Sequence, residues 1–244
     1  MKYFLFIVIL PFITMMPIDK TSQVNQSIEK EISGLHHLVR EQKDTTKEAP
    51  VLILLHGYGS NENDLFSFEN RMPEHWLIVS VRAPIDLGRN RFKWYNVKLV
   101  NEKIIASPSE EKKSRKLLLE LIDEIVLKYN VDKNKIVTAG FSQGAGIALS
   151  LALTEPEKIL AAGCFSGHFM EEIKPLIKKK KILKSREVFI SHGTEDSMLP
   201  LRYMEENKAI LEKLGIKVKL SIDKIGHSIS NRQLNEFVEW ITSL

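Results

Sequence analysis

The segment "KIVTAGFSQGAGIALSLAL", Lys135 to Leu153, runs a β-branched stretch into Gly140-Phe141-Ser142-Gln143-Gly144 and then at once into small helix-forming residues. A strand that turns directly into a helix must bend sharply, and Ser142 sits at the tip of that bend with a glycine two residues away on each side. Glycines there let the strand and helix backbones approach where side chains would collide. The G-x-S-x-G spacing is that of a nucleophile elbow, a strained turn holding a serine hydroxyl above the end of a sheet. The amino end of the following helix lies beneath the serine, and its N–H groups favour developing negative charge. Building a core requires no such bend.

The rest of the chain alternates strands with helices. "LHHLVREQ" reads as a strand, "KDTTKEAP" as a turn and "VLILLHG" as a fully buried strand, a hairpin-like start. "WLIVSVRAP" is a further apolar strand, ended by Pro84. "SEEKKSRKLLLELIDEIVLKYN" is an amphipathic helix capped by Ser109, with Leu117, Leu118, Leu121, Ile122 and Ile125 on one face. The helix after Ser142 stops near Thr154, because Pro156 cannot continue it. "ILAAGCFSG" and "REVFISHG" are strands, "RYMEENKAILEKLG" a helix ending at Gly215, "IKVKLSID" a strand and "QLNEFVEWITSL" a final helix. This alternation predicts an α/β fold with a mostly parallel central sheet covered by helices on both faces. Catalytic groups in such folds collect on loops at the carboxyl ends of the strands.

The chain of 244 residues holds one large domain, expected over 32–244. Its net charge of +4 is only mildly basic, and "KPLIKKKKILK" lacks the interleaved aromatics or motifs of a nucleic-acid site. The single cysteine, Cys164, excludes an intrachain disulfide and a cysteine zinc cluster, and its apolar surroundings predict a buried small hydrophobe. "MKYFLFIVILPFITMMP" has one lysine before an apolar run that is too short to span a membrane and fits a signal peptide. Residues 1–17 are therefore expected to be a leader of an exported protein, or else a short uncleaved anchor, and 18–31 a polar linker.

A serine hydroxyl is a weak nucleophile and needs a base held by an acid. In chains carrying this elbow the acid follows the serine and the histidine follows the acid. "ISHGTEDSMLP" supplies Asp196 after one strand, and "DKIGHSIS" supplies His227 after the last. Glu195 competes as the acid and His192 as the base, while His36, His37, His56, His75 and His168 fall outside the order and are assigned structural roles. Acyl transfer also needs two N–H donors for its oxyanion. The Gln143 backbone is one, and "LLHGYGSNENDL" supplies the other from Tyr58, with neighbouring Gly59 as the alternative.

Together "LLHGYGSNENDL", "RAP", "FKWYN", "AGFSQGAGIAL", "HGTEDSMLP" and "GHSIS" make the chain resemble the carboxylesterase/phospholipase family of α/β-hydrolases, which includes the acyl-protein thioesterases. The resemblance runs from about Val51 to His227. It implies the α/β-hydrolase fold, a triad of Ser142, Asp196 and His227, an oxyanion hole of Tyr58 and Gln143, and no metal or organic cofactor. It also implies a small-molecule ester substrate and leaves room for a homodimer. Trp94 and Tyr95 match an aromatic pair near the family's acyl pocket. The chain departs from the pattern at Ser197-Met198-Leu199, where relatives carry smaller or β-branched residues, so its pocket is expected to differ in shape. The implied reaction is carboxylic ester hydrolysis by a serine esterase. A thioesterase, lysophospholipase or peptidase on the same triad is the alternative, as is a silent binding protein on the same fold.

Overall fold

The computed structural model describes residues 30–32, 34–100 and 103–244. The leader expected at 1–17 and nearly all of the linker lie outside them. The first strand, β1 (Lys30–Ile32), places the start of the sheet slightly before the expected domain boundary.

The sheet continues with β2 (Leu35–Arg40), β3 (Ala49–Leu55) and β4 (Leu77–Val81), with a short helix α1 (Asn63–Phe66) between the last two. Two small hairpins follow: β5 (Ile85–Asp86) with β6 (Phe92–Lys93), and β7 (Val97–Val100) with β8 (Lys103–Ala106). Then come α2 (Pro108–Lys128), β9 (Val131–Phe141), α3 (Gln143–Thr154), β10 (Ala161–Phe165), the short α4 (Lys180–Leu183) and β11 (Glu187–Gly193). The chain ends with α5 (Arg202–Lys213), β12 (Lys217–Asp223) and α6 (Asn231–Thr242).

Eight strands form one sheet in the order β1-β2-β4-β3-β9-β10-β11-β12. Every pairing from β4 to β12 is parallel, and β1 and β2 add an antiparallel edge. The hairpin-like start expected from the sequence is corrected here, because β2 pairs with β4 and β3 lies one strand further in. The cause is the run of β3. Val51, Ile53 and Leu55 enter the core on one face, and Leu52 and Leu54 enter the core on the other. A strand apolar on both faces is stable only deep in the sheet, between parallel neighbours.

The first core is closed by α2, α3 and α5, the second by α1 and α6. On α2 the residues Leu118, Leu121, Ile122 and Ile125 are buried, and Leu117 is partly buried against them. The expected cap moves: Pro108 is the first helical residue, so Ser107 takes the N-cap position and Ser109 lies inside the first turn. A buried polar seam joins α2 to α3, in which Glu111 accepts from Arg115 Nε (3.0 Å) and from Ser150 Oγ (2.5 Å). Helix α6 begins earlier than its apolar periodicity suggests, because Ser230 and Gln233 form a reciprocal capping box. Cys164 is fully buried as expected, and burial pushes its thiol up to about 12, which leaves it unreactive at neutral pH. No helix among the described residues is long and apolar enough to cross a membrane.

Candidate active site

Strand β9 delivers Ser142 to the carboxyl edge of the sheet in a conformation that serine rarely adopts, φ +53° and ψ −113°. Such a backbone costs about 1–3 kcal/mol and persists only where its surroundings enforce it. Enforcement comes from both sides. The Ser142 N–H donates to the Phe165 carbonyl (2.8 Å), and the Ser142 carbonyl accepts from Ala145 (3.1 Å) and Gly146 (3.4 Å). A Cβ on Gly140 would sit 2.3 Å from the Gly144 carbonyl group, and one on Gly144 would sit 2.0 Å from the Leu55 carbonyl oxygen. The two glycines therefore do more than let the strand and helix of the elbow meet. Gly144 also lets α3 rest on the end of β3, where the oxyanion loop begins.

Ser142 occupies the N-cap position of α3, and its side chain makes no cap hydrogen bond. A serine at that position ordinarily caps the helix and stabilises it by about 1 kcal/mol. The capping interaction is forgone, and the hydroxyl stays available above the positive end of a twelve-residue helix.

The acid and base loops are zipped together by backbone. Thr194 N–H donates to Asp223 O (2.9 Å) and Glu195 N–H to Ile225 O (3.0 Å). That approach requires Gly193, where a Cβ would meet the Ile225 carbonyl oxygen at 2.2 Å. Asp196 is buried. Its Oδ1 accepts from the N–H groups of Met198 (2.9 Å) and Leu199 (2.8 Å), and its Oδ2 accepts from His227 Nδ1 (2.7 Å). The proton on Nδ1 leaves Nε2 of His227 as a lone-pair acceptor. The His227 ring packs against Phe141, the residue before the serine, at 4.8 Å between centroids. Ser142 and His227 line the same cavity, of about 260 Å³.

The rival residues are placed elsewhere. Glu195 faces Lys224 at 3.7 Å on the surface. His192 is fully buried, with Nε2 2.7 Å from the Leu199 carbonyl and 3.5 Å from Asp196 Oδ2, so it supports the acid loop from behind. His56 accepts from Ala83 N–H through Nε2 (3.0 Å) and donates through Nδ1 to Gly57 O (2.7 Å), which makes it a neutral brace of the oxyanion loop. Burial lowers its pKa accordingly. His37 is buried on β2, and His75 packs edge-on against Trp76.

Gln143 is the first residue of α3, whose opening N–H groups have no acceptor within the helix. Its side chain is locked on the β6–β7 loop: Oε1 accepts from Trp94 N–H (2.9 Å), and Nε2 donates to Tyr95 O (2.7 Å). Tyr58 lies at the cavity mouth, half exposed. Gly59 N–H is donated to Phe92 O (2.8 Å). Both Trp94 and Tyr95 are fully buried, and of the two only Tyr95 is among the residues lining the cavity. Trp94 instead joins three parts of the site, donating from Nε1 to His56 O (2.9 Å) and accepting at its carbonyl from Ser114 Oγ (2.6 Å) besides its bond to Gln143.

The oxyanion loop is anchored by an inward ion pair. Glu62, 2% exposed, accepts from Arg82 Nε (2.6 Å) and Nη2, and Arg82 also stacks over Phe92 at 4.8 Å. Burial alone would push the Glu62 carboxyl up, but the Arg82 hydrogen bonds and charge outweigh it and hold the pKa below the ordinary 4.5. Replacing Arg82 by Ala strands that carboxylate and is expected to destabilise the fold by about 3–5 kcal/mol, read from the urea unfolding midpoint. Because the native carboxyl is the stronger acid, the pair's contribution is present above the unfolded-state value and is lost as pH falls through the lowered native one. Arg82→Ala should therefore flatten the stability profile in that acidic window, and an unchanged profile would remove the pair from the account.

The remaining cavity wall includes residues given no pocket role in the sequence reading, among them His168, to which it assigned a structural role, besides Met198 and Leu199, where it expected a change in pocket shape. Val97 and Ile104 come from the β7–β8 hairpin, Met198 and Leu199 from the acid loop, and His168 from the loop after β10. The hairpin carries a legible signal, since "VKLVNEKIIA" has two apolar runs around Asn101. Met198 and Leu199 belong to the segment Ser197-Met198-Leu199, at which a difference in pocket shape is expected. Among the described residues, no group of three or more His, Cys, Asp or Glu is placed to hold a metal ion.

A family model described as phospholipase/carboxylesterase matches residues 35–244. A carboxylesterase structure from Bacillus cereus is similar at 28% identity and a TM-score of 0.73, covering 86% of this chain and 94% of that one. Acyl-protein thioesterase 1 of Kluyveromyces lactis is 26% identical over 209 residues, 79% of this chain and 90% of the relative. A Mesorhizobium loti carboxylesterase shares the fold at 17% identity and a TM-score of 0.74, covering 89% and 99% of the two chains.

Proposed function

Because the chain belongs to the phospholipase/carboxylesterase family of α/β-hydrolases, we propose that it hydrolyses carboxylic esters through Ser142, His227 and Asp196. The observation that carries this reading is the bond from His227 Nδ1 to buried Asp196 Oδ2, which leaves Nε2 bare on a ring that lines the same cavity as Ser142. His227 Nε2 takes the hydroxyl proton as Ser142 Oγ attacks the acyl carbon. The carbonyl electrons move onto oxygen, where the N–H groups of Gln143 and Tyr58 receive them. Collapse expels the alkoxide, which takes the proton from the imidazolium. Water, deprotonated by the same nitrogen, then releases the acid and restores the serine. Asp196 holds the imidazole in the required tautomer and offsets its transient positive charge.

A second reading has support of its own. A thiolate leaves at least as readily as an alkoxide, the same three residues serve it, and relatives such as the Kluyveromyces lactis protein are named acyl-protein thioesterases. The apolar cavity side chains Val97, Ile104, Met198 and Leu199 suit either acyl donor. Assay of the chain on p-nitrophenyl butyrate and on a butyryl thioester separates the two. The ester reading predicts kcat/KM for the oxyester at least equal to that for the thioester after correction for spontaneous hydrolysis. A preference for the thioester of about a hundredfold would replace it with the second reading, and turnover of neither would remove both.

A further inference from the structure

His168 is the cavity residue that the proposed chemistry leaves unused. It is 7% exposed, it lines the cavity together with Ser142, and its Nε2 is buried with no hydrogen-bond partner. Its position is built with care. Asn207 of α5, itself 1% exposed, grips the peptide on both sides of it: Nδ2 donates to Gly167 O (3.0 Å), and Oδ1 accepts from Phe169 N–H (2.7 Å). The imidazole ring then stands edge-on to Tyr203 at 5.9 Å.

A buried polar group without a partner costs about 1–3 kcal/mol. Leucine or phenylalanine would line this wall without that cost, and the neighbouring wall residues Val97, Ile104, Met198 and Leu199 are apolar. Burial pushes the imidazole down to about 4, so at neutral pH the ring carries one N–H donor and one lone-pair acceptor. Such a ring can pair with a hydroxyl in either sense, and with a carbonyl oxygen as donor.

We propose that His168 is a specificity residue which hydrogen-bonds an oxygen on the cavity-bound arm of the substrate, so that the site favours esters bearing a hydroxyl or oxo group over plain alkyl esters. The inference rests on the hydrolase reading above and names the substrate class of that same site. A site with an otherwise unpaired buried polar group favours the substrate that pairs it, because the analogue without the oxygen leaves that group unpaired.

The test uses two matched pairs of substrates with the whole chain. p-Nitrophenyl butyrate against p-nitrophenyl β-hydroxybutyrate reports on the acyl arm, and butyl acetate against hydroxybutyl acetate, followed by pH-stat, reports on the alcohol arm. In one pair the oxygenated member is expected to have at least a tenfold higher kcat/KM, carried mainly by a lower KM. His168→Phe is expected to bring that ratio to about one, and His168→Gln, which retains a donor and an acceptor, to keep part of it. The Gln variant also serves if the Phe variant does not fold, as judged by thermal unfolding. Ratios near one in both pairs for the parent protein, or a preference that survives intact in both folded variants, would overturn the proposal. Equal turnover within each pair refutes only this inference, whereas absence of turnover in every case refutes the hydrolase reading beneath it.

Discussion

Replacing Ser142 by Ala is expected to lower kcat on p-nitrophenyl butyrate by about five to six orders of magnitude, the scale on which removal of a triad serine acts. That corresponds to about 7–8 kcal/mol of transition-state stabilisation. The structure says why the loss should fall on chemistry rather than on folding. The Ser142 hydroxyl caps no helix N–H, and the turn is held by its backbone bonds to Phe165, Ala145 and Gly146, which alanine keeps. The unfolding midpoint should therefore move by no more than about 0.5 kcal/mol in stability, as for substitutions that break no structural bond. The residual rate reports the oxyanion donors and binding, which survive the change. A variant retaining even a tenth of the parent turnover would mean that another group attacks the ester.

The second large effect is expected at Asp196. In Asp196→Asn the side-chain oxygen is claimed by two backbone donors, the N–H groups of Met198 and Leu199, at 2.9 and 2.8 Å. The new amide NH₂ must then face His227 Nδ1, which now accepts a proton instead of donating one. The imidazole is turned to the tautomer with hydrogen on Nε2, so it cannot receive the Ser142 proton. A fall in kcat of about 10⁴-fold follows, with little change in fold because the shape and the loop bonds are kept. If Asp196→Asn stayed within tenfold of the parent, the carboxylate would be a loop brace only, and the reading of this loop would be wrong.

Much of the site could be read from the chain because its parts are local. The elbow needs only five consecutive residues, and the close approaches at Gly140 and Gly144 are of the kind those glycines announce, although the contact of Gly144 with Leu55 joins distant segments. Asp196 and His227 each follow a strand, so their order along the chain mirrors their place on the sheet edge. What escaped was set by contacts remote in sequence. The pairing of β2 with β4 depends on β3 being buried on both faces, a property of the assembled sheet. Trp94, expected in the pocket, is drawn inward by partners at His56, Ser114 and Gln143. The β7–β8 hairpin is local and its two apolar runs are legible, but its exposed Val97, Val100 and Ile105 give no sign in the sequence that it walls the cavity. His168 is placed by Asn207 from a helix some forty residues on, and no local motif marks it.

The central claim is that the Ser142 oxygen is activated by the His227–Asp196 pair, and covalent trapping tests it most directly. A p-nitrophenyl alkylphosphonate offers phosphorus to the nucleophile and releases p-nitrophenolate, leaving a stable adduct that peptide mass spectrometry can locate. The account predicts one phosphonyl group per chain, on the peptide that contains Ser142, forming far more slowly in Asp196→Asn and not at all in Ser142→Ala. An adduct on another residue, or labelling undiminished in Ser142→Ala, would contradict it.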